Sequence, residues 1–322
     1  MKEIKITVKE ENQRLDKYLM KYFNKAPKSF IYKMLRKKRI KYNNKKAEGS
    51  EMLKDGDSLQ LYLAEETMSG FMEEKTVNVA ERHFGIVYED ENVIFVSKPA
   101  GVLTHPEKES DKNTLIDQIL YYLYEKGEYT PSASSVFTPA VCNRLDRNTS
   151  GIIVAGKNLM AVQELNKAIQ ERKVDKMYIA LVKGKVSDKG ELIGYIKKDN
   201  GNNISSVSDK ELKGSKKIVT KYKVINSSEK YDLLEIKLIT GKSHQIRAQF
   251  SAMGNPLVGD RKYGSEVVNK YFRLNYGLNN QFLHAYKLVI NIKDGGLSYL
   301  SKKEFVSQLP EPLNTIKKDI FG

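Results

Sequence analysis

Residues 143–151 read Asn-Arg-Leu-Asp-Arg-Asn-Thr-Ser-Gly and stand between apolar residues, with Val141 before them and Ile-Ile-Val-Ala at 152–155 directly after. The apolar flanks are typical of strand. A charged side chain at Asp146 does not suit a core position in such a stretch, because burial of an unpaired charge is costly. A polar segment with an aspartate at its centre is therefore a candidate functional site.

The neighbours of Asp146 allow two interpretations. Arg144 and Arg147 flank it, and a nearby cation favours the ionised form that a nucleophilic carboxylate requires. Alternatively, Asp146 is an ion-paired residue that caps a turn with Thr149 and Ser150. Taken alone, the segment favours the turn, because ion-paired carboxylates are far more common than catalytic ones.

A second segment, residues 240–247, reads Thr-Gly-Lys-Ser-His-Gln-Ile-Arg. Gly241 permits a tight turn from a strand into a short helix over about 243–253, which Gly254 can end. The apolar face of that helix is formed by Ile246, Phe250 and Met253. Arg247 lies off this face and could reach into a cleft as a fixed cation, although an ordinary surface arginine is the simpler interpretation. His244 is more typical of a structural histidine.

A third segment, residues 176–184, alternates apolar and polar positions and predicts a strand with Tyr178 and Ala180 on one face. A tyrosine on a strand that faces a cleft can stack on a nucleobase that has left its helix. A half-buried strand tyrosine is the commoner case. Stretches 131–135 and 199–215 are rich in Ser, Gly, Asn and Lys, and we expect surface loops there.

The N-terminal region is strongly basic. Between Lys17 and Ala47 there are twelve Lys and Arg residues without one Asp or Glu. Two short helices are predicted, one on the apolar face of residues 15–22 and one after Pro27, with Ser29 as N-cap. The candidate phosphate-binding side chains are Arg14, Lys28, Lys33, Arg36, Lys37 and Arg39. A solvated surface is the alternative, but such a face normally mixes both signs of charge.

Composition narrows the class of protein. The chain has 322 residues with a formal net charge of +15, which points to a polyanionic partner such as nucleic acid. No apolar run approaches the ~20 residues of a membrane span. One cysteine and four scattered histidines argue against a disulfide and a metal site. We expect a cytoplasmic protein that acts on nucleic acid without metal or cofactor.

The N-terminal pattern resembles the S4 RNA-binding domain over about residues 12–63, where the two helices, the turn before KKAEG and the segment DGDSLQLYL follow in the expected order. The resemblance implies a small module that holds structured RNA by its backbone. We expect this module at 1–66, an acidic linker at 67–78 and a catalytic domain at 79–322.

The three central segments together resemble the RluA-type pseudouridine synthases over roughly residues 84–290, whose central motif is H-R-L-D-x-x-T-S-G. The resemblance places the catalytic aspartate at Asp146, the active-site tyrosine at Tyr178 and the paired basic residue at Arg247. Further matching segments are SKPAGVLTHP at 97–106, GNPLVGDRKYG at 254–264 and LHAYKL at 283–288. It implies an α+β catalytic domain on a mixed, mainly antiparallel sheet.

The resemblance also implies the reaction, in which uridine in RNA is isomerised to pseudouridine. Asp146 attacks either C1′ of the ribose or the uracil ring, and the sequence does not distinguish the two. The expected substrate-binding side chains are Arg144, Arg147, Thr149, Lys242 and His244. Arg144 is placed to enter the space that a flipped nucleotide leaves. Two positions depart from the family pattern, Asn143 for its histidine and Lys242 for its arginine, and neither is one of the three catalytic positions.

The S4-like module favours large-subunit ribosomal RNA over transfer RNA as the substrate, and we expect a monomer that does not bind membranes. A non-catalytic RNA-binding or ribosome-assembly factor on the same scaffold is the alternative, but such a factor is expected to lack Asp146 or Arg247. The sequence contains no motif that supports a protein acting on DNA or on membranes.

Overall fold

The computed structural model describes residues 1–8, 10–73, 76–132, 136–199 and 204–322, which form two β-sheets with separate apolar cores. The smaller sheet belongs to the N-terminal unit. The elements of this unit are β1 Lys2–Lys5, α1 Leu15–Tyr22, α2 Lys28–Arg36, β2 Ile40–Tyr42, β3 Lys45–Lys46, β4 Ser58–Leu61 and α3 Glu65–Gly70. The strands are antiparallel in the order β1-β4-β2-β3.

The apolar faces read from the sequence form the core of this unit. Leu15, Leu19 and Ile31 are fully buried between α1, α2 and the sheet. The turn between β2 and β3 is made by Asn43 and Asn44, both with positive φ, which asparagine tolerates better than most residues. The two predicted helices are therefore confirmed.

Two local expectations in this unit are wrong. Ser29 is not the N-cap of α2, because the helix already starts at Lys28 and Pro27 holds the N-cap position. The stretch 64–78 contains helix α3, and Phe71 behind it packs on Phe30 with ring centroids 4.3 Å apart. The acidic residues of the stretch drew attention away from its scattered apolar residues, Met68, Phe71 and Met72. Glu74 and Lys75 of the expected linker lie outside the described residues.

The larger sheet builds the rest of the chain. Its strands are β5 Gly85–Glu89, β6 Val93–Lys98, β7 Ala140–Val141, β8 Ser150–Gly156, β9 Val174–Lys183, β10 Lys189–Asp199, β11 Ile204–Ser208, β12 Lys216–Ser227, β13 Tyr231–Leu238, β14 Leu283–Ile290 and β15 Glu304–Val306. The order is β11-β10-β12-β13-β9-β14-β8-β6-β5, with β15 beside β14 and β7 beside β8. The pairing of β14 with β8 is parallel and the other described pairings are antiparallel, so the expected α+β class is confirmed.

Helices cover both faces of this sheet. They are α4 Leu115–Glu125, α5 Leu159–Gln170, α6 Gln245–Ala252, α7 Glu266–Tyr276 and α8 Leu313–Phe321, with a short 3₁₀ helix at Ser298–Leu300. Helices α4 and α6 pack with Tyr178 and Ile236 on one face. Helix α5 packs on the other face against β6 and β8, and α7 and α8 pack there against β9 and β13. Within the described ranges, no helix has both the length and the apolar composition of a membrane span.

Other expectations for this region are wrong in detail. The stretch 199–215 holds strand β11 at Ile204–Ser208 and the last residue of β10, while its residues 200–203 lie outside the described part of the chain. Met253 is 38% exposed and follows the last residue of α6, so of the three residues expected on the apolar face only Ile246 and Phe250 are buried. Residues 133–135 of the other expected loop lie outside the described part of the chain.

Gly151 allows the closest approach of backbones in the larger sheet. It lies in β8 opposite Ala285 of β14, and its φ is +122°. A Cβ built on Gly151 would lie 2.3 Å from the carbonyl oxygen of Ala285. The parallel pair at the centre of the sheet therefore depends on a residue without a side chain.

We expect Gly151→Ala to lower the free energy of unfolding by more than ~3 kcal/mol, because the methyl group must displace backbone as well as adopt a positive φ. Gly127→Ala is the matched control. Gly127 also has a positive φ, but nothing lies within 4 Å of the Cβ position, so we expect a loss of about 1 kcal/mol from backbone strain alone. Urea unfolding of both variants decides, and equal losses would contradict the role of the Gly151 contact.

Candidate active site

Asp146 lies in the loop that joins β7 to β8, and several side chains hold this loop. The Thr104 hydroxyl donates to the carbonyl oxygen of Leu145 at 3.1 Å and lies 3.4 Å from the backbone nitrogen of Leu145. The Asn143 side chain accepts from the backbone N–H of Val154 at 2.8 Å and donates to the carbonyl oxygen of Ile152 at 3.2 Å. Asn143, the departure from the family pattern, thus fixes the start of the loop to β8.

Lys98 holds the other end of the loop. Its ammonium is completely buried and donates to the carbonyl oxygens of Pro99, Val102 and Arg147 at 2.8–2.9 Å. Burial lowers the pKa of Lys98 to about 7, and the negative charge of Asp146 acts against this shift. The three carbonyl oxygens match the three donors of the ammonium, so Lys98 joins the loop after β6 to the end of the Asp146 loop.

The turn that the sequence suggested at Asp146 exists, but backbone atoms close it. The N–H of Thr149 donates to the carbonyl oxygen of Asp146 at 3.1 Å. The hydroxyl of Thr149 instead accepts from Gln281, and that of Ser150 lies 2.8 Å from Nδ1 of the buried His284. The carboxylate of Asp146 is therefore not used to cap the turn with these two side chains.

The Asp146 carboxylate pairs with Arg247. Arg247 Nη1 donates to Asp146 Oδ2 at 2.9 Å, while Nε and Nη2 of the same guanidinium bind the two carboxylate oxygens of Asp260 at 2.7 and 2.9 Å. The side chain of Asp260 is 0% exposed and that of Arg247 is 6% exposed, whereas that of Asp146 is 25% exposed. The buried fork fixes the arginine, and the accessible carboxylate is Asp146.

Aromatic and imidazole rings complete this side of the site. The Arg247 guanidinium lies over the ring of Tyr263 at 5.1 Å, and the Tyr263 hydroxyl lies 2.9 Å from His244 Nδ1. His244 Nε2 is 3.9 Å from Asp146 Oδ2, so the imidazole also faces the carboxylate. Burial lowers the pKa of His244, and the neighbouring Arg247 lowers it further while Asp146 opposes the change. His244 is thus favoured in its neutral form.

Helix α6 is held in place by polar contacts with the sheet. Gln245 donates to the carbonyl oxygen of Val219 and to the hydroxyl of Thr220, and it accepts from the hydroxyl of Thr240. Gln249, one turn later, accepts from Thr220 at 2.6 Å. These buried amides fix the rotation of the helix, and Arg247 therefore points towards Asp146.

Tyr178 lies on β9 between β13 and β14, with Ile236 and Ala285 as its partners in register. Its residue exposure is 6%, and its hydroxyl makes no hydrogen bond to any described residue. Burial raises the pKa of Tyr178, and the negative charge of Asp146 raises it further. The hydroxyl is therefore protonated near neutral pH. Tyr178 belongs to the same buried apolar cluster as Leu145, the residue before Asp146.

The remaining predicted substrate-binding residues surround this space to different degrees. Arg144 and Arg147 are exposed on the Asp146 loop, and Lys242 is exposed before α6. Thr149 is buried and supports the loop, as described above. The residues predicted from the sequence thus lie around one site. Arg144, Arg147 and Lys242 are exposed to a ligand there, whereas the buried Thr149 supports the Asp146 loop.

Sequence reasoning missed three residues of the site. Asp260, Tyr263 and Lys98 lie in the segments 254–264 and 97–106, which were noticed as similar to the family but given no role. These residues could have been found from the sequence, because they are charged or aromatic residues within motifs that are otherwise apolar or rich in glycine. In the described part of the chain, no group of three or more His, Cys, Asp or Glu side chains could hold a metal ion.

The predicted RNA-binding cations of the N-terminal unit fall into two groups. Lys28, Lys33, Arg36, Lys37 and Arg39 are all exposed on or directly after α2. Among the described residues, Lys33, Arg36 and Lys37 have no ion-pair partner. Arg14 stands apart, because its guanidinium binds the buried carboxylate of Asp16 at 3.0 Å, which also accepts from Tyr32. Arg14 therefore contributes to the fold of this unit.

Comparison with known proteins gives a consistent result. The sequence profile of the family described as RNA pseudouridylate synthase matches residues 92–252. An uncharacterized RNA pseudouridine synthase of Mycoplasma genitalium is 33% identical over 293 residues, which cover 87% of this chain and 86% of the relative. The ribosomal large subunit pseudouridine synthase C of Rickettsia bellii is 32% identical over 290 residues, 87% of this chain and 90% of that protein.

A solved structure resembles the fold as well. The human RNA pseudouridylate synthase domain containing 4 superposes with a TM-score of 0.57 at 21% sequence identity, over 73% of this chain and 92% of that chain. Asp146, Tyr178 and Arg247 all lie within the residues that the family profile matches.

The two carboxylates on Arg247 should differ in their effect on stability. We expect Asp260→Asn to lower the free energy of unfolding by ~3 kcal/mol or more, because it leaves a buried guanidinium without its bidentate partner. Asp146→Asn should cost less than about 1 kcal/mol, because Asp146 is partly exposed and Arg247 keeps Asp260. Urea unfolding of the two isosteric variants measures both, and equal losses would contradict a structural role for Asp260.

Proposed function

The chain belongs to the RNA pseudouridylate synthase family, whose members are isomerases, and on that premise we propose that it converts uridine to pseudouridine in large-subunit ribosomal RNA. In this reaction the bond from C1′ to N1 breaks, the uracil rotates, and a bond from C1′ to C5 forms. The proton leaves C5 and N1 gains one, so no redox partner is required.

The observation that carries the proposal is the Asp146–Arg247 pair. It combines a partly exposed carboxylate with a guanidinium that is held by a buried second carboxylate, Asp260. Such a fixed positive charge orients the carboxylate before substrate arrives. We assign Asp146 to the reacting uridine, either at C1′ or at the ring, and Arg247 to holding it in place.

Tyr178 supports the same assignment from the opposite side. Its ring faces the space beside Asp146, where a flipped uracil can stack on it. Because burial and Asp146 raise its pKa, its hydroxyl is suited to donate a hydrogen bond rather than to accept the C5 proton as a phenolate. Arg144, exposed two residues before Asp146, is assigned to the space that the flipped nucleotide leaves in the RNA.

The choice of ribosomal RNA rests on similarity and on charge. One relative with 32% identity is named for the large ribosomal subunit. The basic surface of α2 lies in a unit with its own core, which we assign to the S4 type as a module that holds the RNA backbone. We further propose that the protein acts as a monomer in the cytoplasm, where ribosomal RNA is its substrate.

Asp146→Asn should abolish turnover while RNA affinity stays nearly unchanged, because the substitution keeps the shape of the side chain and removes its charge. Tritium release from RNA that carries [5-³H]uridine measures turnover, and filter binding measures affinity. Mapping pseudouridine in RNA from cells with the wild-type gene, the Asp146→Asn gene or no gene identifies the substrate. Sites lost only from transfer RNA would contradict the ribosomal assignment, and residual activity above a few per cent would contradict the role of Asp146.

Replacing Lys33, Arg36 and Lys37 together with glutamine should lower the slope of log K against log salt by roughly three, because each phosphate contact contributes about one. The matched control is the triple variant Lys33→Arg, Arg36→Lys and Lys37→Arg, which replaces each cation by the other kind. It keeps the charge and should keep the slope. An unchanged slope in the glutamine variant would mean that this surface does not contact RNA.

A further inference from the structure

Lys176 is a lysine of the cleft that the functions assigned above leave unused. It lies on β9 two residues before Tyr178 and therefore on the same face of the strand. Its ammonium reaches the turn before α6, since a Cβ built on Gly241 would lie 3.3 Å from Lys176 Nζ. The side chain thus ends between the strand of Tyr178 and the turn that leads to Arg247.

Lys176 has no partner for its charge. Among the residues that the structure describes, no acceptor and no carboxylate binds its ammonium, although the side chain is half-buried. Two other lysines of the larger sheet differ in this respect. Lys98 is satisfied by three carbonyl oxygens, and Lys237 on β13 pairs with Asp175 at 2.8 Å. A desolvated charge without a partner costs stability, so Lys176 is placed at a cost to the fold.

The surroundings of Lys176 add positive charge and no negative charge. Gly241, Lys242 and Ser243 form an exposed turn beside it, and Lys242 carries a second ammonium. Burial lowers the pKa of Lys176, and no neighbouring carboxylate raises it. An anion that entered here would stabilise the protonated form of Lys176.

The position of Lys176 relative to Tyr178 indicates which part of a ligand it meets. The two residues lie two positions apart on one face of β9, so their Cα atoms are separated by roughly 7 Å along the strand. If the base stacks on Tyr178 and the ribose lies at Asp146, the group within reach of Lys176 belongs to the backbone that flanks this nucleotide.

We propose that Lys176 and the turn at Gly241–Ser243 form a subsite for a backbone phosphate next to the flipped uridine. The inference rests on the proposed function and deepens it, because it assigns a residue that holds the nucleotide rather than one that reacts with it. A phosphate is the anion that RNA supplies at every nucleotide, independent of sequence. The ammonium, a compact point charge, would anchor the extruded nucleotide while Tyr178 holds its base.

The test is a double-mutant cycle on the RNA backbone. RNA segments with the mapped uridine are made with either natural phosphates or a single neutral methylphosphonate at the linkage 5′ or 3′ of that uridine. Binding is measured in the Asp146→Asn background, so that the uridine stays unreacted. We expect Lys176→Met to weaken binding of natural RNA roughly tenfold and to lower the salt slope by about one. For one of the two methylphosphonate RNAs, the same substitution should then cost nothing further.

Two variants distinguish this role from others. Lys176→Arg should recover most of the affinity, because the charge returns. Lys237→Met is the matched control, since Lys237 lies on the opposite face of the same sheet and is already paired, and its RNA affinity should stay at the wild-type value. The midpoint of thermal unfolding of Lys176→Met should be unchanged or raised, because the substitution removes an unpaired charge, whereas a lysine with a purely structural role would lower it on removal.

The outcomes separate this inference from the proposed function. Suppose that Lys176→Met lowers the affinity for natural RNA and for both methylphosphonate RNAs by the same factor, while the wild type still forms pseudouridine. That result would overturn the phosphate subsite alone. A fall in kcat with unchanged binding would overturn it as well and would assign Lys176 to proton transfer. Absence of any pseudouridine formation by the wild type would instead overturn the proposed function.

Discussion

The bidentate contact between Arg247 and Asp260 is the interaction on which the geometry of the candidate active site depends. Asp260 has no solvent exposure, so its two charged oxygens must be satisfied inside the protein, and the guanidinium of Arg247 satisfies both. The remaining nitrogen of the same guanidinium, Nη1, donates to Asp146. The protein thus uses a buried carboxylate to fix an arginine, and the arginine to fix a second carboxylate that substrate can reach. The buried pair supplies orientation, since burial of an ion pair by itself contributes little to net stability.

The rest of the large sheet serves this arrangement by holding three separate segments in one place. Gly151 lets β8 approach β14, which sets the end of the loop of Asp146. Buried glutamines fix α6 on β12, which sets the direction of Arg247. Lys98 uses its whole hydrogen-bonding capacity on carbonyl oxygens at the ends of two loops. The side chains of Lys98, Gln245 and Gln249 are buried and hydrogen-bonded, and such networks favour one arrangement of the backbone over its alternatives.

The charges of the molecule divide into those that the fold uses and those that it leaves for a ligand. Arg14, Lys98 and Arg247 are bound by groups of the protein itself. Among the described residues, Lys33, Arg36 and Lys37 are exposed without an ion-pair partner, and Lys176 is unpaired beside the candidate active site. Exposed cations cost little, and under the proposed function they attract RNA over distances that salt screens. A half-buried one costs more, and its position next to Tyr178 gives it a local task at one nucleotide.

The sequence by itself determined the helices α1 and α2, because each depends on apolar periodicity within a few residues. The resemblance determined the α+β class and brought three positions forward as candidates for the active site. Resemblance carried Asp146, Tyr178 and Arg247, since the motif pattern around each is contiguous. Only the tertiary structure decided what each side chain contacts. Asp146 and Arg247 are 101 residues apart, and the ammonium of Lys176 on β9 lies beside Gly241 in a turn that no local pattern relates to that strand. The same holds for α3, whose apolar contacts with α2 were concealed in an acidic stretch. Pairing of charges depends on distances of a few ångströms between segments remote in the chain, and those distances follow from sheet order and register, which periodicity does not specify.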